Sequence, residues 1–223
     1  TEPDDNTPSA ILRRNLVRDQ NNLEYALRHL ENDTIETVVE ILATAPKIWV
    51  TGEGNLAHLS KAFAVRMTLL GLTAHAVASE FVEQAVIAAL VKPGDAVVGL
   101  GMTALTPTVP TMLRLTRSEG AHTIGIVGSL NVPVAIAAEY VIHAPVDTVG
   151  ILPSWTALAA ITHGLIQALA QRLGDPAEEW LMRSDYFLAN YRSFLSDQIP
   201  AIRDTLIGYN SQYHVEADKE EDQ

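Results

Sequence analysis

The chain has 223 residues, 48% of them hydrophobic and 19% charged, with a formal net charge of −12 and no cysteine. That length holds one α/β domain with helical additions. The composition excludes disulfides, thiol catalysis and thiolate metal sites, and the acidic balance excludes a self-sufficient nucleic-acid surface. No apolar run is long enough for a membrane span and none has the pattern of a signal peptide, so the expectation is a cytoplasmic protein.

Residues 1–9 are polar, include Pro3 and Pro8, and read as a disordered linker. Leu12, Leu16, Leu23, Leu27 and Leu30 recur at helical spacing and predict one amphipathic helix. Asp33 with Glu36 three residues on predicts a capping box for a second helix, whose apolar face is Ile35, Val38, Val39, Ile41 and Leu42. Pro46 ends it.

The period then changes. Ile48-Trp49-Val50-Thr51 is a short buried strand, followed by the turn Gly52-Glu53-Gly54-Asn55 and a helix from Leu56 to Leu70. Thr73 to Val77 predicts a second strand and Glu80 to Val91 a helix. Asp95 to Leu100, after the turn Lys92-Pro93-Gly94, is a third strand. Thr106 is placed to cap the next helix, with Pro107 at its first position, where no amide hydrogen is needed. His122 to Val127 is the fourth strand, Pro133 to Ala138 a short helix and Tyr140 to Ala144 a fifth strand. Strands alternating with helices at this spacing imply βαβ units and a parallel sheet. Ser154 to Leu173 is a long apolar helix closed by Gly174. Pro176 opens a last helical region with an apolar face of Trp180, Leu181, Phe187, Tyr191, Phe194, Leu195, Ile199 and Ile202. The tail from Glu216 is acidic.

Ligands of open α/β sheets bind outside the carboxyl ends of the strands, where helix-start amides favour anions. Three loops fall there: Gly52–Asn55, Gly101–Thr106 and Gly128–Asn131. Thr103 and Thr106 are the first candidates for ligand contact, against plain loop and capping roles. Gly52 and Gly54 serve the turn, and Asn55 either caps the next helix or faces the cleft. Leu56, Met102, Leu105 and Trp155 are candidates to line a less polar pocket, though core packing is the commoner use of each. Glu80 suits a helix start, and His58 and His163 read as structural histidines on helices. No histidines and carboxylates have metal-ligand spacing.

Five short strands, a Gly-x-Gly turn after the first and a hydroxyl-bearing loop after the third resemble the SIS (sugar isomerase) domain. The resemblance runs from Lys47 to Leu173. It is carried by Ile48-Trp49-Val50-Thr51-Gly52-Glu53-Gly54, Leu70-Gly71 and Lys92-Pro93-Gly94-Asp95-Ala96-Val97-Val98. The two preceding helices are similar to the helical connector of RpiR-type transcriptional regulators. The resemblance implies a three-layer α/β/α sandwich with a five-stranded parallel sheet in flavodoxin-like order, plus N- and C-terminal helical additions. The division it implies is a linker at 1–9, a connector at 10–46, the SIS domain at 47–173, a helical extension at 174–208 and an acidic tail at 209–223. The family usually has a Ser at the position of Leu56, and Ser-x-Ser-Gly-x-Thr where this chain reads Gly101-Met102-Thr103-Ala104-Leu105-Thr106. Its Thr-Asn and Ser-Pro after the fourth strand are here Val127-Gly128 and Val132-Pro133. Each lost charge-assisted hydrogen bond weakens a phosphate complex by roughly 1.5–3 kcal/mol.

The implied function is a ligand-sensing, dimerising SIS domain of an RpiR-like regulator that binds a sugar phosphate or related carbohydrate derivative. The alternative is an aldose–ketose sugar-phosphate isomerase of the same fold. The ligand-binding set is Gly54, Asn55, Gly101, Met102, Thr103, Ala104, Thr106 and Ser129, with no catalytic or metal residues and no cofactor. The expected partners are the small molecule, a second copy of the chain, and DNA only through an N-terminal helix-turn-helix domain that these residues do not contain; no membrane partner is expected. Little counterion release is available to an acidic chain, so the isolated chain is expected to bind duplex DNA more weakly than roughly 10⁻⁶ M at physiological salt. Fluorescence anisotropy with a promoter fragment checks this, and tight sequence-selective binding would contradict it.

Overall fold

The computed structural model describes residues 7–78, 80–103 and 107–198. Two helices lead, α1 (Pro8–His29) and α2 (Asn32–Thr44). The alternating region follows as β1 (Ile48–Gly52), α3 (Leu56–Leu69), β2 (Ala74–Val77), α4 (Phe81–Ala88), β3 (Ala96–Gly101), α5 (Thr108–Ser118), β4 (His122–Val127), α6 (Pro133–Ala137) and β5 (Tyr140–His143). Helices α7 (Thr156–Leu173) and α8 (Asp175–Gln198) close the chain. Among the described residues no helix is long and apolar enough to cross a membrane.

All strand pairs are parallel, in the order β2-β1-β3-β4-β5, so the flavodoxin-like order is observed. Alternation along the strands divides the core in two. Ile48, Val50, Ala96, Val98, Leu100, Ile124, Ile126 and Ile142 face α2, α3 and α7. Trp49, Val77, Val97 and Val127 face α5, α6 and the segment after α4. Each residue of β1 and of β3 is buried, which is why those strands read as unbroken apolar runs.

Helix starts depart from expectation by one or two residues. α1 begins at Pro8, because Thr7 Oγ1 accepts a hydrogen bond from Ala10 N at 3.4 Å and Pro8 fills a first-turn position that needs no amide. α2 begins at Asn32 with Glu31 before it, so Asp33 lies inside the first turn and the expected capping box is not made. There Asp33 complements the helix dipole instead. Thr106 lies outside the described residues, and Pro107 precedes the first helical residue of α5.

α1 is held by polar contacts. Asn22, 3% exposed, donates from Nδ2 to the Asp147 carbonyl at 2.8 Å. Asn15 Oδ1 accepts from Thr148 Oγ1 at 2.9 Å and Val149 N at 3.2 Å, and Asp19 Oδ2 accepts from Thr156 Oγ1 at 3.0 Å. Meanwhile Leu12, Leu16, Leu23 and Leu27 of α1 are exposed. α2 is tied to α7 by Arg172, whose Nε and Nη2 donate to Glu40 at 2.7 and 3.0 Å. That hydrogen-bonded guanidinium holds the Glu40 carboxyl below its ordinary value.

The described residues fall into two compact units that divide after Glu178. The second is the rest of α8, in which the Arg183 guanidinium stands 5.3 Å from the Trp180 ring centre and Tyr186 meets Phe187 edge-on at 5.5 Å. Ile199, Ile202 and the acidic tail lie outside the described residues, as do residues 1–6 and the side chains of Phe194 and Leu195.

Asn22→Ala removes a buried donor and leaves the Asp147 carbonyl without it, so a loss of about 1–3 kcal/mol is expected. Urea denaturation measures the loss. Hydrogen exchange locates it, with faster exchange in α1 than in the strands.

Candidate functional site

The chain reverses direction across the sheet between β1, which leads to β2 on one side, and β3, which leads to β4 on the other. A crevice opens at such a switch point, outside the strand ends. Two backbone hydrogen bonds draw the three expected loops together there. Glu53 N donates to the Leu100 carbonyl at 3.1 Å, and Gly128 N donates to the Gly101 carbonyl at 2.8 Å.

The first loop turns through Gly54, whose φ of +53° a side-chain-bearing residue rarely adopts. Its carbonyls occupy the start of α3. Leu56 N donates to Glu53 O at 2.9 Å, Ala57 N to Gly54 O at 3.1 Å and His58 N to Asn55 O at 3.2 Å. The amides that would grip an anion at this helix start are therefore already committed. Asn55 holds the position before α3, but its side chain makes no capping bond and is exposed. The capping role expected for it is therefore not made.

In the second loop Gly101 is buried, and a Cβ built on it would stand 2.7 Å from Val134 Cγ2 of α6. Its place among the expected ligand residues thus carries a packing reason of its own. Met102 is half-buried and rests against the core on the α3 side. Thr103 is half-buried and makes no hydrogen bond among the described residues. Ala104, Leu105 and Thr106 lie outside those residues. In the third loop Ser129 Oγ accepts from Asn131 N at 3.2 Å, which leaves its own hydroxyl proton to donate.

Leu56 does not line the crevice. It is fully buried in the core with Val50 and Phe63, because a first-turn residue of α3 faces the sheet. Trp155 is 45% exposed at the start of α7. His58 and His163 are exposed on their helices. Glu80 precedes α4 without capping it, and Glu83 accepts from Ala78 N, ahead of the helix, at 3.1 Å.

Glu53, placed by its sequence position in the first ligand loop, is 2% exposed and sets a carboxyl there. Three residues beside these loops were not singled out from the sequence. Thr51 and Gln84 form a buried pair, Gln84 Nε2 donating to Thr51 Oγ1 at 3.0 Å. A lone glutamine inside the apolar run Phe81-Val82-Glu83-Gln84-Ala85-Val86 was the available signal. His143 donates from Nε2 to the Gly128 carbonyl at 3.2 Å and meets the Tyr25 ring of α1 edge-on at 5.5 Å. No three histidine, aspartate or glutamate residues come together as a metal site among the described residues.

The sequence matches the family model of the SIS domain over residues 41–170. No curated protein sequence matches the chain. Solved structures of similar fold include the sugar isomerase domain of an RpiR transcription factor from Sphaerobacter thermophilus. It is 22% identical with a TM-score of 0.75, over 82% of this chain and 99% of that one. The Vibrio vulnificus NanR protein, complexed with ManNAc-6P, is 14% identical with a TM-score of 0.69, over 78% and 66%. The phosphoheptose isomerase GmhA from Neisseria gonorrhoeae is 16% identical with a TM-score of 0.58, over 75% and 98%.

Gly101→Ala drives a methyl group against Val134 and is expected to destabilise the chain by about 1–3 kcal/mol. A second change, Val134→Ala, relieves the contact. In chemical denaturation the two effects should therefore fall short of additivity by more than about 0.5 kcal/mol.

Proposed function

The chain belongs to the SIS domain family, and we propose that it is the ligand-sensing, dimerising domain of an RpiR-like transcriptional regulator. The ligand is a sugar phosphate or related carbohydrate derivative, held where the first, second and third loops meet. The residues assigned to it are Gly54, Asn55, Gly101, Met102, Thr103, Ala104, Thr106 and Ser129. Residues 10–46 serve as the connector and 47–173 as the sensing domain. DNA contact belongs to a helix-turn-helix segment joined ahead of the connector, and such a regulator works in the cytoplasm.

One observation carries the sensing reading: three loops are tied together at the switch point, and beside the single carboxyl of Glu53 the polar side chains they offer are hydroxyls and an amide. Among the described residues Thr103 and Asn55 make no side-chain hydrogen bond, and Ser129 retains a proton to donate. The committed amides at the start of α3 weaken the grip on a phosphate and shift recognition toward hydroxyl groups. Support for the regulator class comes from the RpiR domain, whose likeness extends over 99% of that chain. The NanR structure, complexed with ManNAc-6P, supports the ligand class.

A buried carboxyl group in the first loop, Glu53, favours the second reading, an aldose–ketose isomerase, because proton transfer between adjacent carbons needs a base. If the sensing reading holds, no sugar phosphate is turned over by the unaltered chain. Turnover that Glu53→Gln abolishes would establish the isomerase instead.

Differential scanning fluorimetry against sugar phosphates, sugar acids and nucleotides identifies the ligand. A compound at about 100 times its Kd adds about 2.7 kcal/mol to the folded state and raises Tm. Thr103→Val keeps the side-chain shape and removes the hydroxyl. Affinity for that compound should fall roughly fivefold or more, about 1 kcal/mol. Unchanged affinity in calorimetry removes Thr103 from the site.

A further inference from the structure

α4 turns only part of its apolar surface inward, with Ile87 and Ala88 half-buried against the core, whereas a helix that covers a sheet turns its whole apolar stripe that way. Its only buried residue is the polar Gln84, fixed to Thr51 of β1. Its apolar residues Phe81, Val82 and Val86 are 74%, 69% and 58% exposed. Beside them, a groove of about 140 Å³ runs between α4 and α5. Phe81, Ala85, Ala88, Pro107, Met112 and Leu115 line it.

We propose that this face binds a second copy of the chain, the Phe81 ring of each protomer entering the α4–α5 groove of the other. The inference rests on the dimerising part of the proposed function and assigns it a surface. A two-fold interface uses the same patch on both subunits, so the patch must be complementary to itself. This one carries both an exposed ring and a cleft. The cleft volume is close to the roughly 150 Å³ that accommodates benzene. Phe81, Val82, Val86, Leu90 and Leu115 are each more than half exposed. Five side chains of this size exposed to that degree leave apolar surface on the order of a few hundred Å², the range that marks interaction sites on monomers. The rims differ in sign. Glu80 adjoins Phe81 on the α4 side, and on the α5 side Arg114 reaches Thr111 Oγ1 with Nη2 at 3.1 Å. A copy related by a two-fold axis sets unlike rims together.

Sedimentation velocity at micromolar concentration tests this with four chains: the unaltered one, Phe81→Asp, Ala85→Phe and the α1 variant Leu16→Asp/Leu27→Asp. Ala85 is exposed, so Ala85→Phe fills the groove from outside without entering the core. Circular dichroism and thermal melts establish that each variant folds. The expected result is a dimer for the unaltered chain and for the α1 variant. Phe81→Asp should weaken dimerisation at least a hundredfold and Ala85→Phe at least tenfold. A folded Phe81→Asp or Ala85→Phe chain that still dimerises like the unaltered one overturns the assignment of this face. If only the α1 variant then dissociates, the exposed leucines are the interface and the dimerising reading stands. A monomeric unaltered chain overturns both.

Discussion

Strands β1, β3 and β4 lie in the middle of the sheet, where a backbone amide or carbonyl has only a neighbouring strand to pair with. The parallel ladder that satisfies these groups is the constraint on which the rest of the molecule depends. It runs one step beyond the strands, through Glu53 N to Leu100 O and Gly128 N to Gly101 O. Those two bonds stack three loops into one crevice before any side chain contributes. The close approach of Val134 to Gly101 follows from the same ladder, since α6 must lie directly over the ends of β3 and β4. The crevice is thus built from backbone, and its side chains are free to change without loss of the fold.

Around that rigid centre, two helices are fastened by buried amides beside the few apolar residues they bury, Ala26 of α1 and Ile87 and Ala88 of α4. α1 uses Asn15 and Asn22, and α4 uses Gln84. Each such bond is worth about 1 kcal/mol net, but an amide left without its partner in a buried place loses more. The arrangement sets each helix in one register while leaving most of its large apolar residues outward. His143 extends the pattern, joining Gly128 in the crevice to the Tyr25 ring on α1. Two contacts thus connect the third loop to α1.

Sequence reasoning performed best where one force dominates. The bounds of β4, His122–Val127, are those expected, because an apolar run between Gly120 and Gly128 admits little else. The sheet order followed from the resemblance to the SIS domain and not from periodicity. Expectations failed where a residue serves either of two neighbours. Leu56 sits in a ligand loop by sequence position, yet the first turn of α3 directs it into the core. Asp33 has the spacing of a cap, but α2 starts one residue earlier and takes it into the helix. The inward side of α4 was unreadable from its pattern, because one glutamine outweighs three apolar residues only when a threonine on β1 stands opposite. Whether Thr103 touches a ligand is likewise unreadable, since a hydroxyl in a loop obeys no period.

The attachment of α1 also fixes when the chain can complete itself. α1 is made before the residues that hold it, since Asp147, Thr148 and Thr156 lie 125 to 137 positions later. At about 5–20 residues per second, synthesis of that interval lasts on the order of ten seconds. For that time Leu12, Leu16, Leu23 and Leu27 belong to a nascent amphipathic helix with no sheet to lie beside. α1 therefore waits through most of the domain's synthesis for the segment that fixes its place, and docks only once that segment has followed.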